Sequence, residues 1–128
     1  MQSLQPNGSL KEIVEKILAM DISVFLVSIS NRRGDILTHT FNQSASDELK
    51  QTMKNVMREK GFVPALTTGV FEEDAKYLGD VDYVVVSFGK MKGMFIPMRS
   101  RGLVIALTLS PNTDSRSIAI QVRNFLPE

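Results

Sequence analysis

His39 is the only histidine of the 128-residue chain, and cysteine is absent. Nucleophilic or acid–base catalysis would therefore need a serine tied to that one imidazole, and no recognisable nucleophile motif occurs. A metal ion would need carboxylates converging on His39, and no spacing supplies them. The expectation for His39 is a polar residue that alternates outward on a strand. Glu72-Glu73-Asp74 offers consecutive carboxylates, but consecutive helical residues fan out around the axis and do not meet at one ion. A solvated helix face is expected there. Gly89-Lys90 followed by Gly93 has the composition of a phosphate loop. It lies between two strand-like runs, however, without the helix N-terminus that makes such loops anion sites, and the P-loop pattern itself is absent. A hairpin turn is the expectation. These residues thus point to no catalytic group, no metal and no cofactor. Arg32 and Arg33 fall in one turn, Arg99 and Arg101 in another. By strand count the two turns can fall at one end of a sheet, where a small anion or an acidic partner would dock if the guanidinium groups are not simply solvated.

The bulk properties narrow the class further. The length suits one hydrophobic core, since a domain runs ~100–150 residues, and residues 1–128 are read as a single domain with 1–8 as a flexible lead-in. Apolar residues make up 43% and charged residues 23%, ordinary values for a globular protein. A net charge of +1 lacks the surplus that phosphate backbones or anionic lipids reward, so nucleic acid is not expected as a partner. The longest apolar runs, 22–29 and 103–109, fall far below the ~20 residues of a spanning helix, so no membrane insertion is expected. MQSLQPNGSLKE carries no basic stretch followed by an apolar run, so no secretory signal is read, and the lack of cysteine fits a cytoplasmic protein.

The hydrophobic periodicity then supplies the elements. Ser9 stands three residues before Glu12 in capping-box spacing, and Leu10, Ile13, Val14, Ile17 and Leu18 follow at helical intervals, so a helix is expected over 10–20. Ile22 to Ser30 is apolar on both alternations, with Val24 and Leu26 pointing one way and Phe25, Val27 and Ile29 the other. That suits a strand covered on both faces. Asn31-Arg32-Arg33-Gly34 is turn material, and Asp35 to Phe41 returns as the second arm of a hairpin. Residues 42–47 supply loop and N-cap chemistry before a helix with Leu49, Met53, Val56 and Met57 on one face, which Gly61 should close. Pro64 fits the first turn of a further helix, with Leu66, Val70, Tyr77 and Leu78 as its apolar positions. Whether 46–79 forms one kinked helix or two stays open. Val81 to Phe88, Gly93 to Met98 and Leu103 to Leu109 read as a three-strand meander, and 110–114 can cap a closing helix with Ile118, Ile120, Val122 and Phe125 as its contacts.

This order of elements, α-β-β-α-β-β-β-α, resembles the roadblock (dynein light chain) family and its profilin-like and longin-like relatives. VFLVSISNRRGDILTHT looks like the family's opening hairpin, with its polar turn and glycine. VDYVVVSFGKMKGMFIPMRSRGLVIALTLSPNTD looks like its meander, in which a short turn ends in glycine before a strongly apolar strand and a proline-bearing exit. The resemblance spans almost the whole chain. It implies an α+β (α/β) fold with a five-stranded antiparallel sheet, the middle helix on one face and the terminal helices on the other. It also implies a non-enzymatic homodimer, paired through the middle helix and the adjacent edge strand, that serves as a scaffold or regulator, in many members of a small GTPase.

In that topology Val84, Val86 and Phe88 share one side of an edge strand, beside helical Met53, Met57, Leu66 and Val70. Natural proteins rarely leave such an edge bare, so these residues are the expected dimer interface. Arg32, Arg33, Arg99 and Arg101 are the expected partner contacts. The alternative reading is a small-molecule-sensing domain of the same shape, with a ligand between sheet and helices. A pocket of apolar residues with two or three polar groups would favour it; a filled core with a broad exposed patch would favour the scaffold.

Overall fold

The computed structural model describes residues 6–60, 74–98 and 101–126. In chain order the elements are α1 (Pro6–Met20), β1 (Val24–Asn31), β2 (Ile36–Phe41), α2 (Asp47–Lys60), α3 (Ala75–Leu78), β3 (Val84–Ser87), β4 (Lys92–Met98), β5 (Leu103–Leu109) and α4 (Ser115–Phe125). The strands form one antiparallel sheet in the order β2-β1-β5-β4-β3. The α+β class and the order of elements agree with the expectation from sequence.

Strand geometry sends alternate residues to opposite faces, and the register assigns each one. Val27, Ile29, Met94, Ile96, Ile105, Leu107 and Leu109 share one face and form a core with Ile13, Val14 and Ile17 of α1 and Ile118, Ala119 and Val122 of α4. The terminal helices therefore cover the same face. No described side chain of α2 is buried, and the helix lies on the opposite face with Met53, Val56 and Met57 over the sheet.

Several local details depart from the sequence reading, each for a physical reason. α1 begins at Pro6, so residues 6–8 belong to the helix and not to a lead-in; proline's fixed φ and missing N–H suit a first helical turn, which places position 9 within the helix and not at its start. In β1 the register slips between Val24 and Leu26, so Val24 opposes Leu109 and joins the core while Leu26 opposes Thr108 on the other face. Such a bulge adds one residue and reverses the alternation, which separates two side chains expected to point the same way. Ile120 is 51% exposed: Ile118, Ala119 and Val122 already fill the inward stripe of α4, and residue 120 falls on the far side. Tyr77 and Leu78, expected to face a core, are each 85% exposed on the single turn of α3. β3 starts at Val84 and not at Val81, because Arg123 of α4 holds the preceding segment: its Nε donates to Asp82 Oδ1 at 3.2 Å and its Nη2 to the Asp82 carbonyl at 2.8 Å.

The connections are fixed by short polar bonds. Ser46 caps α2, its Oγ accepting from the Leu49 N–H at 3.1 Å, and Asp114 caps α4 by accepting from the Ser117 N–H at 3.3 Å. Asn42 Nδ2 donates to the Val24 carbonyl at 3.1 Å and fastens the end of β2 to the start of β1. The orientation of α4 is testable with two substitutions of identical chemistry. Ile118→Ala, at a buried site, is expected to cost about 2–5 kcal/mol in denaturant unfolding. Ile120→Ala on the same helix is expected to stay within about 0.5 kcal/mol.

Candidate functional site

Among the described residues the sheet has two edge strands, β2 and β3, and they are built differently. On β2, Ile29 opposes Thr38 while Ser30 opposes Ile36, so Leu37 is an extra, bulged residue, 47% exposed. A bulge twists an edge away from regular pairing. β3 has no such interruption: Val84, Val85, Val86 and Ser87 pair in unbroken register with Phe95, Met94, Gly93 and Lys92. Its outer side runs straight, with β-branched residues at successive positions.

Val84 opposes Phe95 and Val86 opposes Gly93, so both valines stand on the face that α2 overlies. Val86 is 36% and Phe88 60% exposed, and Phe88 is held just past β3 by donating its N–H to the Met91 carbonyl at 2.8 Å. Met53 and Met57 are half-buried on α2. These five residues of the expected interface thus lie on one side of the molecule. Leu66 and Val70 lie outside the described residues.

Between α2 and this face runs a groove of about 610 Å³, within the ~300–1,000 Å³ range of small-molecule sites. Its described walls are mostly apolar, with Leu26, Phe88, Phe95, Met53 and Met57 among them, and Ser28, Ser30 and Thr108 adding hydroxyls. Its described surface is almost wholly apolar and the Ser30 hydroxyl is buried, so the converging polar groups of a sensor's pocket are not what it presents. No sequence signal marked it, because it is a shape left between elements.

The arginine turns do come together. Asn31 at the end of β1 opposes Leu103 at the start of β5, and a Cβ added to Gly102 would lie 3.4 Å from Arg32 Nε. Arg32, Arg33 and Arg101 are exposed at that end of the sheet, and Arg99 lies outside the described residues. The first turn is organised by Asn31: its Oδ1 accepts from the N–H groups of Arg33 at 2.9 Å and Asp35 at 3.0 Å, and its Nδ2 donates to Asp35 Oδ2 at 2.9 Å. Gly34 adopts φ +90° there, a conformation that favours glycine.

The residues weighed for chemistry stand apart from one another. His39 is exposed on β2 and meets Phe41 edge-on, ring centres 6.1 Å apart. Gly89-Lys90 forms the β3–β4 turn, as expected. Asp74 is exposed just before α3, while Glu72 and Glu73 lie outside the described residues. Among the described residues no three His, Cys, Asp or Glu side chains gather as a metal site, and no helix is long and apolar enough to cross a membrane.

No family model matches the sequence, and no curated protein does either. The solved structures are more informative. The gliding protein MglB from Thermus thermophilus superposes with a TM-score of 0.69 at 14% identity, over 97% of this chain and 87% of that one. A Roadblock/LC7 domain from Streptomyces avermitilis gives 0.64 at 10% identity, over 90% and 89%. The chain has the roadblock/LC7 fold. MglC from Myxococcus xanthus shares it at a TM-score of 0.57 and 14% identity, over 92% of this chain and 99% of that one. The resemblance read from the hairpin and the meander is thereby borne out at the level of fold.

Asn31 offers a direct test of how the roadblock hairpin holds its arginines. Asn31→Ala is expected to lower stability by about 1–3 kcal/mol, since it removes three side-chain bonds worth ~0.5–1.5 kcal/mol each, discounted for an exposed site. Arg33→Ala should change it by less than about 0.5 kcal/mol; thermal unfolding of the two variants makes the comparison.

Proposed function

We propose that the chain acts as a cytoplasmic, non-enzymatic homodimer that scaffolds or regulates a small GTPase. The observation that carries the pairing is the contrast between the edges: β2 is bulged at Leu37, while β3 runs in unbroken register. An open, regular, valine-rich edge is a template for another strand. A second copy joined antiparallel along β3 would continue the sheet across a two-fold axis and bring the exposed and half-buried residues of α2 toward their equivalents. Val84, Val86, Phe88, Met53 and Met57 would supply the apolar centre of that contact, and Leu66 and Val70 are proposed with them.

The fold supports this reading. One of the solved MglB structures has a tetrameric arrangement, a property of that protein that agrees with a fold suited to self-association. The GTPase follows from the resemblance to the roadblock family, in which regulation of such partners recurs. Arg32, Arg33, Arg99 and Arg101 are the proposed contacts for an acidic surface of that partner.

The interface is tested by Val86→Glu and Phe88→Glu. Both positions are exposed to solvent in the single chain, so a carboxylate there stays hydrated and the chain folds, whereas at a dimer centre it would be buried unpaired at a cost of several kcal/mol. Light scattering over a concentration series should give twice the 14.3 kDa chain mass for the natural protein and the monomer mass for folded variants. A natural protein that is monomeric throughout, or variants that remain dimeric, would reject this interface. For the GTPase, nucleotide hydrolysis or exchange by purified small GTPases of the same organism should respond to the natural dimer and not to the monomeric variants.

A further inference from the structure

The charges that flank β3 are divided by sign. The segment leading into the strand, 74–82, carries Asp74, Asp80 and Asp82 against the single Lys76, all of them exposed. The turn after the strand carries Lys90 and, at the start of β4, Lys92, with no carboxylate from Val84 to Lys92. Lys92 is directed away from the edge, its Nζ donating to the Thr113 carbonyl at 3.0 Å on the α4 side. Lys90 is exposed, and no carboxylate among the described residues pairs with it. The acidic side is held in position by α4: Arg123 Nε bonds Asp82 Oδ1 at 3.2 Å, while the Asp82 side chain stays 68% exposed. The same segment carries Tyr77 and Leu78, each 85% exposed, as suits a stretch of chain that a second molecule covers.

An antiparallel strand pair related by a two-fold axis sets the beginning of each strand against the end of the other. Two copies joined along β3 would therefore set the acidic lead-in of one beside the basic turn of its partner, and the same contact would recur at the opposite end of the seam. Centred on β3, the pairing would put Val84 opposite the partner's Ser87. Asp82, two residues earlier, would then stand level with the partner's Gly89 and beside the partner's Lys90, across the ~4.8 Å that separates neighbouring strands. The distribution of charge along this edge is thus self-complementary in the antiparallel sense.

We propose that Lys90 of each copy pairs with Asp80 and Asp82 of the other, so that two charge clasps, one at each end of the β3 seam, set its register and select an identical partner. The clasps rest on pairing along β3 and add to it residues that lie outside the strand and outside α2. At an exposed rim each ion pair is weak by itself. Symmetry counts every substitution twice, however, and like charges brought to the same place repel.

The test compares the full natural chain with Lys90→Glu and Asp80→Lys, both at exposed positions where folding is not at stake. In sedimentation equilibrium the natural dimer should loosen as sodium chloride is raised from about 0.05 to about 0.5 M, because salt screens exposed charges. Lys90→Glu should raise the dissociation constant roughly tenfold, as both clasps turn from attraction to repulsion. Mixed in equal amounts, Lys90→Glu and Asp80→Lys should form the mixed dimer above its statistical share in native mass spectrometry, since the two substitutions then meet with opposite charge and the other clasp is the natural one. A mixed dimer at the statistical share, or a Lys90→Glu dimer as tight as the natural one, would overturn the clasps; with Val86→Glu monomeric, the pairing along β3 would stand without them. A natural protein that is monomeric throughout, or that stays dimeric in Val86→Glu, would overturn the β3 pairing and the clasps with it.

Discussion

A strand has two faces and a residue can occupy only one of them, a constraint on which the arrangement of this molecule depends. The strands β1, β4 and β5 commit their large aliphatic residues to the face that α1 and α4 cover, and Val14, Ile17 and Val122 reach full burial against them. That one packed layer is the hydrophobic core. A one-residue slip would transfer every core side chain to the opposite face, and the bulge between Val24 and Leu26 performs such a slip once, at the start of β1. It lets Val24 join the core while the rest of β1 keeps its alternation.

With the core on one side, the other face has to be handled by different means. α2 overlies it, and the sheet's two edges are treated unequally. The bulge at Leu37 makes β2 a poorer template than β3, so any lateral growth of the sheet would favour β3. Edge pairing restricted to one strand closes after two copies, because the symmetric pair leaves only its bulged β2 edges outward. This limit follows from backbone pairing alone and does not depend on the identity of the side chains at the interface.

Most of the fold was legible in the sequence because its signals are local. The valine- and isoleucine-rich runs marked the strands, Asn31 to Gly34 marked a turn whose glycine does adopt positive φ, and residues 110–114 marked the entry to α4. The misreadings arose where a non-local fact decides. Val24 follows a bulge that only the pairing with Leu109 reveals. Ile120 is apolar by type, yet α4 already has its inward stripe. Tyr77 and Leu78 resembled helix contacts, but α3 is a single turn with no buried residue. The proximity of Arg32 to Gly102 was anticipated from strand count, whereas the groove was not: its floor comes from residues as far apart as Ser28 and Thr108, each of them unremarkable in its own run.

The balance of forces on α2 sets its side of the sheet apart from the packed one. Ser46 caps the helix and Asp47 and Glu48 place negative charge in its first turn, so its formation is supported locally. Its apolar side chains, by contrast, are only half-buried or exposed, and none belongs to the core. A helix stabilised chiefly by packing would be anchored by fully buried residues, as α1 is by Val14 and Ile17. Lacking such anchors among its described residues, α2 is free of the close packing that fixes α1 and α4. The roadblock fold supplies the platform and leaves its chemistry open. What distinguishes this chain is therefore to be sought in the side chains facing α2 and not in the core, which many apolar sequences could fill equally well.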